Sequence, residues 1–248
     1  MLVDGDDDLA PLTAGAAALG LTLSEEQLAR FTGYRALLLE WNARINLTAI
    51  TDPAAIVTRH FLDSLTCLLA LPAEWHERAI TLLDVGAGAG FPGLALAIAL
   101  PAWRVTLVEA TGKKVRFLEA VIADLGLPNA TAVVGRAEEV AHQPAYRGRF
   151  DMVTARALAA LPTLLEYCAP FARVGGYVVA PKKGELAEEI TRGRRAALAL
   201  GARLLAPIPV TLPALADDRL LLAAQQERPC PPQYPRPAGA PAKRPLGG

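Results

Sequence analysis

A glycine-rich stretch after an apolar run carries the clearest chemical signal in this 248-residue chain. Residues 80–85 predict a buried strand, and Gly86, Gly88 and Gly90 follow it at once. Glycine has no Cβ, so a backbone built from it can bend sharply and approach a ligand closely. The apolar residues beyond Gly93 predict a helix, whose first N–H groups favour an acidic group. Strand, glycine turn and helix in this order predict a site for a nucleoside-type ligand.

An acidic residue at the end of the next predicted strand, Glu109, strengthens this prediction. It follows Gly86 at about the 20-residue spacing at which a carboxylate takes ribose hydroxyls. A carboxylate suits a ribose diol because it accepts two hydrogen bonds in one plane. The glycines are spaced G-x-G-x-G, and Asp84 precedes them. This combination resembles the S-adenosylmethionine site of Rossmann-like methyltransferases, and the alternative is a tight turn without a ligand.

Other predicted strands also end in residues that suit a ligand. In an open parallel sheet, ligands lie beyond the carboxyl ends of the strands. Ala137 and Glu138 follow the third predicted strand, where a backbone N–H and a carboxylate could meet an adenine ring. Four of the five strand ends carry cations, which together predict a phosphate-binding rim rather than separate solvated charges. Those cations are Lys113, Lys114, Arg136, Arg156, Lys182 and Lys183.

The residues after the fourth predicted strand bear on the methyl acceptor. Methylation of an exocyclic amine usually uses an Asn/Asp-Pro-Pro-aromatic loop, whereas residues 155–157 read Ala-Arg-Ala. Neither a cysteine nucleophile nor a positioned base, common in methylation of carbon or of a hydroxyl, is evident. A ring nitrogen brings its own lone pair, so proximity and alignment suffice. We therefore predict no catalytic residue, and we expect the cations to bind phosphate or a base oxygen.

Strands alternate with helices from residue 80 onward, and this alternation positions the residues named above. It predicts a Rossmann-like α/β fold, with a mostly parallel sheet of seven strands and helices on both faces. Residues 12–75 are predicted to be a helical extension packed on this core, and Ser24 with Gln27 marks a capping box. Polar residues between its helices are expected to serve as caps and turns: Asn46, Thr48, Asp63 and Ser64.

The two ends of the chain differ in composition from the predicted core, residues 76–227. Residues 1–11 are acidic with little to bury, which predicts disorder. Residues 228–248 contain no acid and are rich in proline, which predicts an extended basic tail without regular helix.

Composition argues against several other classes of protein. Lysine plus arginine and aspartate plus glutamate each number 25, so any basic footprint must be local. Three separated cysteines and three scattered histidines argue against a disulfide scaffold and a metal site. Neither a signal peptide nor a membrane-spanning run is evident, so a cytoplasmic protein is expected. The sequence leaves the oligomeric state open.

Four stretches carry a family resemblance: residues 46–50, 59–65, 84–93 and a tail containing Tyr234-Pro235-Arg236. With them the chain resembles the RsmG/GidB family, S-adenosylmethionine-dependent guanine-N7 methyltransferases of small-subunit (16S) ribosomal RNA. The resemblance implies cofactor contacts by Gly86, Phe91, Glu109, Ala110, Thr111, Ala137, Glu138 and Arg156. It implies RNA-facing roles for Asn46, Lys113, Arg136, Lys182 and Arg236. The tail departs from the pattern by having one arginine where relatives often have two basic residues.

Taken together, the residues and the resemblance predict methyl transfer to guanine N7 of ribosomal RNA, free or within a ribosomal particle, without a general base. One alternative is an S-adenosylmethionine-dependent methyltransferase of a small molecule or a protein, whose substrate binding would be insensitive to salt. Another is an S-adenosylmethionine-binding regulator without catalysis, which a turnover assay would separate from both enzymes.

Overall fold

The computed structural model of the chain describes residues 7–215 and 217–248. The first six residues of the segment predicted to be disordered lie outside this description. The rest of that segment is helical, because Asp7–Leu9 forms a 3-10 turn that leads into α1 (Ala10–Ala18). Leu9 is buried, so the segment has more to bury than its acidic composition suggests. The prediction of disorder is therefore wrong for this described part.

The second helix, α2 (Glu25–Asn42), begins at the predicted capping box. The Ser24 hydroxyl accepts a hydrogen bond from the Gln27 N–H, and the Gln27 side-chain oxygen accepts one from the Ser24 N–H. This exchange satisfies two N–H groups in the first turn, as predicted. The Gln27 amide also donates to the carbonyls of Ile98 and Ala99, both at 2.9 Å, and so fixes α2 on the core.

A further helical segment runs from Pro53 to Ala70. It comprises α3 (Pro53–Ile56), a π-helical turn (Val57–Leu62), α4 (Asp63–Leu65) and a 3-10 turn (Thr66–Ala70). Asp52 caps its start by accepting a hydrogen bond from the N–H of Ala55 at 2.8 Å. Asp63 and Ser64 lie buried inside the segment, so the N-cap role predicted for either of them is wrong. The π-helical turn precedes Asp63, and such turns are frequent at functional sites.

The described residues form one sheet of eight strands: β1 (Thr81–Val85), β2 (Arg104–Glu109), β3 (Ala130–Val134), β4 (Phe150–Thr154), β5 (Ala172–Lys183), β6 (Ala202–Leu204), β7 (Ile208–Pro209) and β8 (Arg219–Gln226). Their order is β3-β2-β1-β4-β5-β8-β6, with β7 also paired to β8. Strands β1 to β5 are parallel, whereas β8 is antiparallel to its neighbours. The sequence predicts seven strands because residues 202–209 read as one strand but form both β6 and β7. The strand order reverses between β1 and β4, where a ligand crevice is expected.

Helices cover both faces of this sheet: α5 (Gly93–Ala99), α6 (Gly112–Asp124), α7 (Ala137–Val140), α8 (Leu161–Cys168) and α9 (Ala187–Ala199). Neighbouring residues of a strand point to opposite faces, so β1 contributes to two hydrophobic clusters. Leu82 packs with α2, α5 and α6, and Leu83 packs with α8 and α9. The N-terminal helices therefore cover one face of the core.

The C-terminal segment, residues 228–248, packs on the core and contains the one-turn helix α10 (Ala240–Lys243). The prediction of a tail without regular helix is therefore wrong. The Thr163 hydroxyl on α8 donates to the Pro241 carbonyl at 3.1 Å. Helix α8 thus binds the tail, a contact that the composition of the tail does not reveal. Within the described ranges, no helix has the length and apolar character needed to cross a membrane.

Candidate active site

The glycine turn between β1 and α5 uses backbone conformations that other residues rarely adopt. The φ angle is +68° at Gly86, +56° at Gly88 and +90° at Gly90. A Cβ on Gly90 would lie 2.5 Å from the Tyr34 hydroxyl, whereas one on Gly88 would meet no atom closer than 3.8 Å. Gly90 therefore serves close packing behind the turn, and Gly88 leaves open space in front. The cofactor contacts predicted for Gly88 and Gly90 stay predictions.

Glu109, at the end of β2, faces this turn. Its Oε2 accepts a hydrogen bond from the Gly88 N–H at 3.0 Å, and its Oε1 accepts one from the Thr111 N–H at 2.8 Å. Each carboxylate oxygen keeps a second lone pair that can accept a ribose hydroxyl. The two backbone donors thus fix the orientation of the Glu109 carboxylate. Thr111, a predicted cofactor residue, acts on the site through this hydrogen bond.

A cavity of about 360 Å³, here called the adenosine cavity, extends from Glu109 across the ends of β2 and β3. Six predicted cofactor residues line it: Gly86, Glu109, Ala110, Ala137, Glu138 and Arg156. The Glu138 side chain is buried in its wall, and Oε1 accepts a hydrogen bond from the Gly239 N–H at 3.2 Å. No described residue donates to its Oε2. Leu158 and Tyr167 also line this cavity, although neither was among the predicted site residues.

A second cavity of about 520 Å³, here called the transfer cavity, lies on the other side of the glycine turn. Gly88 and Phe91 line it together with the loop at residues 47–50 and the π-helical turn. Both cavities share Gly86, Lys114, Arg156 and Ala157. They therefore form one crevice along the carboxyl ends of the strands, at the point where the strand order reverses.

Arg156, directly after β4, is held by several groups of the helical extension. Its Nη1 donates to the Asp63 carboxylate at 2.8 Å, and its Nη2 lies 3.0 Å from the His60 Nδ1. Its guanidinium carbon lies 5.1 Å from the centre of the Phe91 ring, a cation–π distance. Asp63 also binds the Arg219 guanidinium, so one buried carboxylate neutralises two arginines.

His60 stacks on Phe91, with ring centres 4.5 Å apart. Burial, reinforced by the charge of Arg156, lowers the pKa of His60 to about 4. Since arginine can only donate, the His60 Nδ1 must accept, and the hydrogen-bond network places the ring proton on Nε2. The Nε2 lies 2.8 Å from the Thr48 hydroxyl. His60 is therefore neutral at physiological pH and ties the loop at residues 47–50 to Arg156.

Asp84, the acid that precedes the glycines, is completely buried beneath the turn. Its Oδ2 accepts a hydrogen bond from the Gly93 N–H at 2.9 Å, and its Oδ1 has no partner among the described residues. Burial raises the pKa of Asp84 to about 7, although the Gly93 hydrogen bond opposes this shift. A substantial fraction of this carboxyl is therefore protonated at neutral pH.

Comparison with known sequences adds an independent observation to this geometry. Residues 27–210 match the sequence model of GidB, rRNA small subunit methyltransferase G. The ribosomal RNA small subunit methyltransferase G of Roseiflexus sp. (strain RS-1) is 47% identical over 231 residues, 93% of this chain and 97% of that protein. Its namesake in Dehalococcoides mccartyi (strain CBDB1) is 46% identical over 235 residues, 95% of this chain and 98% of that protein. The chain belongs to this family.

Solved structures give the same fold for this member of the methyltransferase G family. A variant of MtNAS in complex with S-adenosylmethionine matches with a TM-score of 0.53 and 15% identity, over 83% of this chain and 78% of that one. Aeropyrum pernix fibrillarin with bound S-adenosylmethionine matches with a TM-score of 0.50 and 19% identity, over 67% and 75%. Identities this low establish the fold alone, and the predicted Rossmann-like fold class is confirmed.

The predicted RNA-facing residues of this family member fall into two groups. Asn46, Lys113 and Arg136 are exposed, and none of the described acids forms an ion pair with the two cations. Arg136 lines the adenosine cavity, whereas Asn46 and Lys113 line neither cavity. Arg59 and Lys114 line the transfer cavity and also lack an ion-pair partner among the described residues.

Lys182 and Arg236 form the second group, because both are already bound to acids. The Lys182 Nζ donates to the Glu189 carboxylate and to the Ala159 carbonyl, both at 2.7 Å. The Arg236 guanidinium binds Glu166, whose side chain is completely buried. The structure does not bring these two cations to the open rim with the others, and their RNA-facing roles stay predictions.

Three members of the network around Arg156 were not among the predicted site residues: His60, Asp63 and Arg219. His60 and Asp63 are three residues apart on one helical segment, a spacing that places two polar side chains on one face. That spacing was an available signal in a segment otherwise rich in apolar residues. Arg219 lies 156 residues from Asp63 and gives no signal, because only the closure of β8 onto the sheet brings it there.

Proposed function

We propose that the chain transfers a methyl group from S-adenosylmethionine to N7 of a guanine in small-subunit (16S) ribosomal RNA. Its membership of the rRNA small subunit methyltransferase G family supports this class of reaction and substrate. The observation that carries the proposal is the continuous crevice at the strand ends. One cavity presents carboxylates suited to a nucleoside, and the other is rimmed by cations suited to a polyanion.

The residues of the crevice fit S-adenosylmethionine. Glu109 would bind the ribose diol, and the unpaired Oε2 of Glu138 would accept the exocyclic amine of adenine, with Ala137 supplying a backbone N–H. The open space before Gly88 would admit the amino-acid part of the cofactor, next to Phe91. When bound, S-adenosylmethionine supplies a methyl group activated by a sulfonium centre.

Two groups that could serve as a base in the transfer cavity are already engaged. Arg156 donates to the His60 Nδ1, and Asp63 binds two guanidinium groups. Neither is free to remove a proton from a hydroxyl or an amine. Guanine N7 carries a lone pair and no proton, so it needs alignment alone. This arrangement supports N7 as the acceptor and agrees with the absence of a predicted catalytic residue.

The open cations around the crevice support RNA as the substrate. Arg59 and Lys114 flank the transfer cavity, and Arg136 lies at the far end of the adenosine cavity. Cations without acidic partners can bind phosphate groups without first breaking an ion pair. We propose the same phosphate-binding role for the exposed Lys113 and Asn46. Variants of Lys182 and Arg236 test whether these two paired cations also bind RNA.

The test is methyl transfer from labelled S-adenosylmethionine to small-subunit RNA from cells that lack the enzyme. We expect 7-methylguanosine in that RNA, located by mass spectrometry of its fragments. RNA from cells that contain the enzyme should take up little label, because its site is already modified. Parallel reactions with naked RNA and assembled subunits would identify the true substrate. Transfer to a protein or a small molecule, with none to this RNA, would overturn the proposal.

A further inference from the structure

The C-terminal segment contacts the predicted adenine-binding residue directly. The Gly239 N–H donates to the Glu138 Oε1, and among the described residues this is the one donor to that carboxylate. Gly239 has a φ of +80°, the left-handed region that glycine adopts without strain. It occupies the N-cap of α10, so the tail presents a backbone donor toward the adenosine cavity. The orientation of Glu138 therefore depends on where the tail lies.

Arg236 and Glu166 fix the course of the tail just before Gly239. The Glu166 carboxylate accepts hydrogen bonds from the Arg236 N–H at 2.9 Å, from Nε at 2.8 Å and from Nη2 at 2.6 Å. Glu166 is completely buried, and a buried charge must be paired and hydrogen-bonded to be tolerated. The same Nη2 also donates to the Arg244 carbonyl at 2.7 Å. Arg236 therefore joins two parts of the tail to α8.

Arg147 fixes the start of the tail to the end of α7, the helix that carries Glu138. Its guanidinium donates to four backbone carbonyls: those of Ala141, Cys230, Pro231 and Tyr234, at 2.8 to 3.2 Å. Because arginine presents several donors in a fixed plane, such a set of acceptors holds the backbone in one arrangement. The tail is thus clamped on both sides of its contact with α7.

We propose that the C-terminal segment positions Glu138 for adenine recognition, and that Arg236 acts on the cofactor site through Glu166 and Gly239. This inference rests on the proposed S-adenosylmethionine site. It makes Arg236 a positioning residue, in contrast to the RNA-facing role that the family resemblance implies. With Oε1 held by Gly239, Glu138 keeps Oε2 for the amine of adenine.

The experiment compares binding of S-adenosylhomocysteine with binding of S-inosylhomocysteine, by calorimetry. The two ligands differ along one edge of the purine. Adenine carries a 6-amine that donates to a carboxylate and an N1 that accepts, whereas hypoxanthine carries a 6-oxo group that repels a carboxylate and an N1–H that opposes a backbone N–H. In the wild-type protein we expect a clear preference for the adenosine form. Arg236→Ala should weaken binding of that form on the order of tenfold and affect the inosine form less, so that the preference falls. A general loss of folding would weaken both ligands alike.

Two further variants keep the test decisive if Arg236→Ala is poorly folded. Arg236→Lys keeps the charge but loses the planar fork, so we expect reduced preference for adenine and unchanged salt dependence of RNA binding. Arg244→Ala removes an exposed tail cation that forms no described ion pair, and it should change neither property.

The opposite pattern would overturn the inference. In that pattern both Arg236 variants keep the preference for adenine, Arg236→Ala binds RNA more weakly, and Arg236→Lys restores RNA binding. Such a result would show that Arg236 binds RNA directly. Failure of the wild-type protein to bind S-adenosylhomocysteine would instead remove the proposed function itself, so the two failures can be distinguished.

Discussion

The two ends of the crevice orient their carboxylates by different means. At the adenosine end, backbone N–H groups hold them: Gly88 and Thr111 bind Glu109, and Gly239 binds Glu138. These donors are independent of one another and cannot be removed by an ordinary substitution. Loss of one carboxylate there should leave the other in place.

At the transfer end, charged side chains hold one another. Asp63 lies between Arg156 and Arg219, and Asp217 binds both Arg219 and Lys183. Removal of Asp63 leaves the largely buried Arg156 guanidinium without its acidic partner, a cost that exceeds the value of the pair itself. We therefore expect substitutions at the transfer end to destabilise the fold and substitutions at the adenosine end to act on ligand affinity.

The largest effect should come from Asp63→Asn. It leaves Arg156 and Arg219, whose side chains are 16% and 5% exposed, without their shared carboxylate. Breaking a buried pair in this way costs about 3–5 kcal/mol, so the free energy of unfolding in urea should fall by that order. Asp124→Asn makes the same chemical change at an exposed position without a described ion pair. Equal losses in the two variants would refute the contrast between the ends of the crevice.

Glu109→Ala should have the next largest effect, and on affinity rather than on stability. Two charge-assisted hydrogen bonds to the ribose would be lost, which weakens S-adenosylmethionine binding on the order of a hundredfold. Glu139→Ala is the control, because this exposed carboxylate lies on α7 near the same cavity and forms no described ion pair. Calorimetry measures both variants. Comparable affinities for S-adenosylmethionine would show that Glu109 does not bind the ribose.

The same contrast explains which parts of the site could be predicted. Strand, glycine turn and Glu109 lie within one βαβ unit, so their spacing in sequence reflects their proximity in space. The sheet and its parallel strands follow from the repeated strand–helix pattern for the same reason. The network around Asp63 joins positions from the helical extension, β4 and β8, and no local pattern relates them. The pairing of Arg236 with Glu166 is equally hidden, because a tail cation in the sequence looks the same whether paired or free.

A third prediction concerns Asp84, which is buried like Asp63 but forms no ion pair with any residue that the structure describes. Burial raises its pKa from 3.8 to about 7, so the folded state keeps this proton up to a higher pH than the unfolded state does. The contribution of this group to stability is therefore lost as the pH rises from about 4 to about 7. Asp84→Asn cannot ionise, so its stability relative to wild type should improve by up to a few kcal/mol over that interval.

Urea unfolding of both proteins at several pH values measures this difference. Asp124→Asn, whose exposed side chain forms no described ion pair, should show a nearly constant difference from wild type over the same interval. Parallel stability profiles for Asp84→Asn and wild type would show that Asp84 is ionised in the folded protein throughout, as expected of a carboxylate with a bound cation.

The smallest expected effect is on the salt dependence of RNA binding. It compares a cation without a described ion-pair partner with a cation that is already paired. Arg136 has no ion-pair partner among the described residues, whereas Lys182 binds Glu189 at 2.7 Å. If Arg136 contacts one phosphate, Arg136→Ala should reduce the slope of log affinity against log salt by about 0.7–1. Lys182→Ala should leave that slope unchanged and lower stability slightly, because Glu189 loses its cation. Filter binding of small-subunit RNA at several salt concentrations measures both slopes.

An equal reduction of the slope in Lys182→Ala would contradict this division. It would mean that the Lys182–Glu189 pair opens when RNA binds, and that the rim includes cations which the structure shows as paired. Glu189→Gln then distinguishes the two cases, because it releases Lys182 without removing it. If Lys182 binds RNA, this variant should bind RNA more tightly than wild type does. If the pair serves the fold alone, RNA affinity should stay the same while the free energy of unfolding falls.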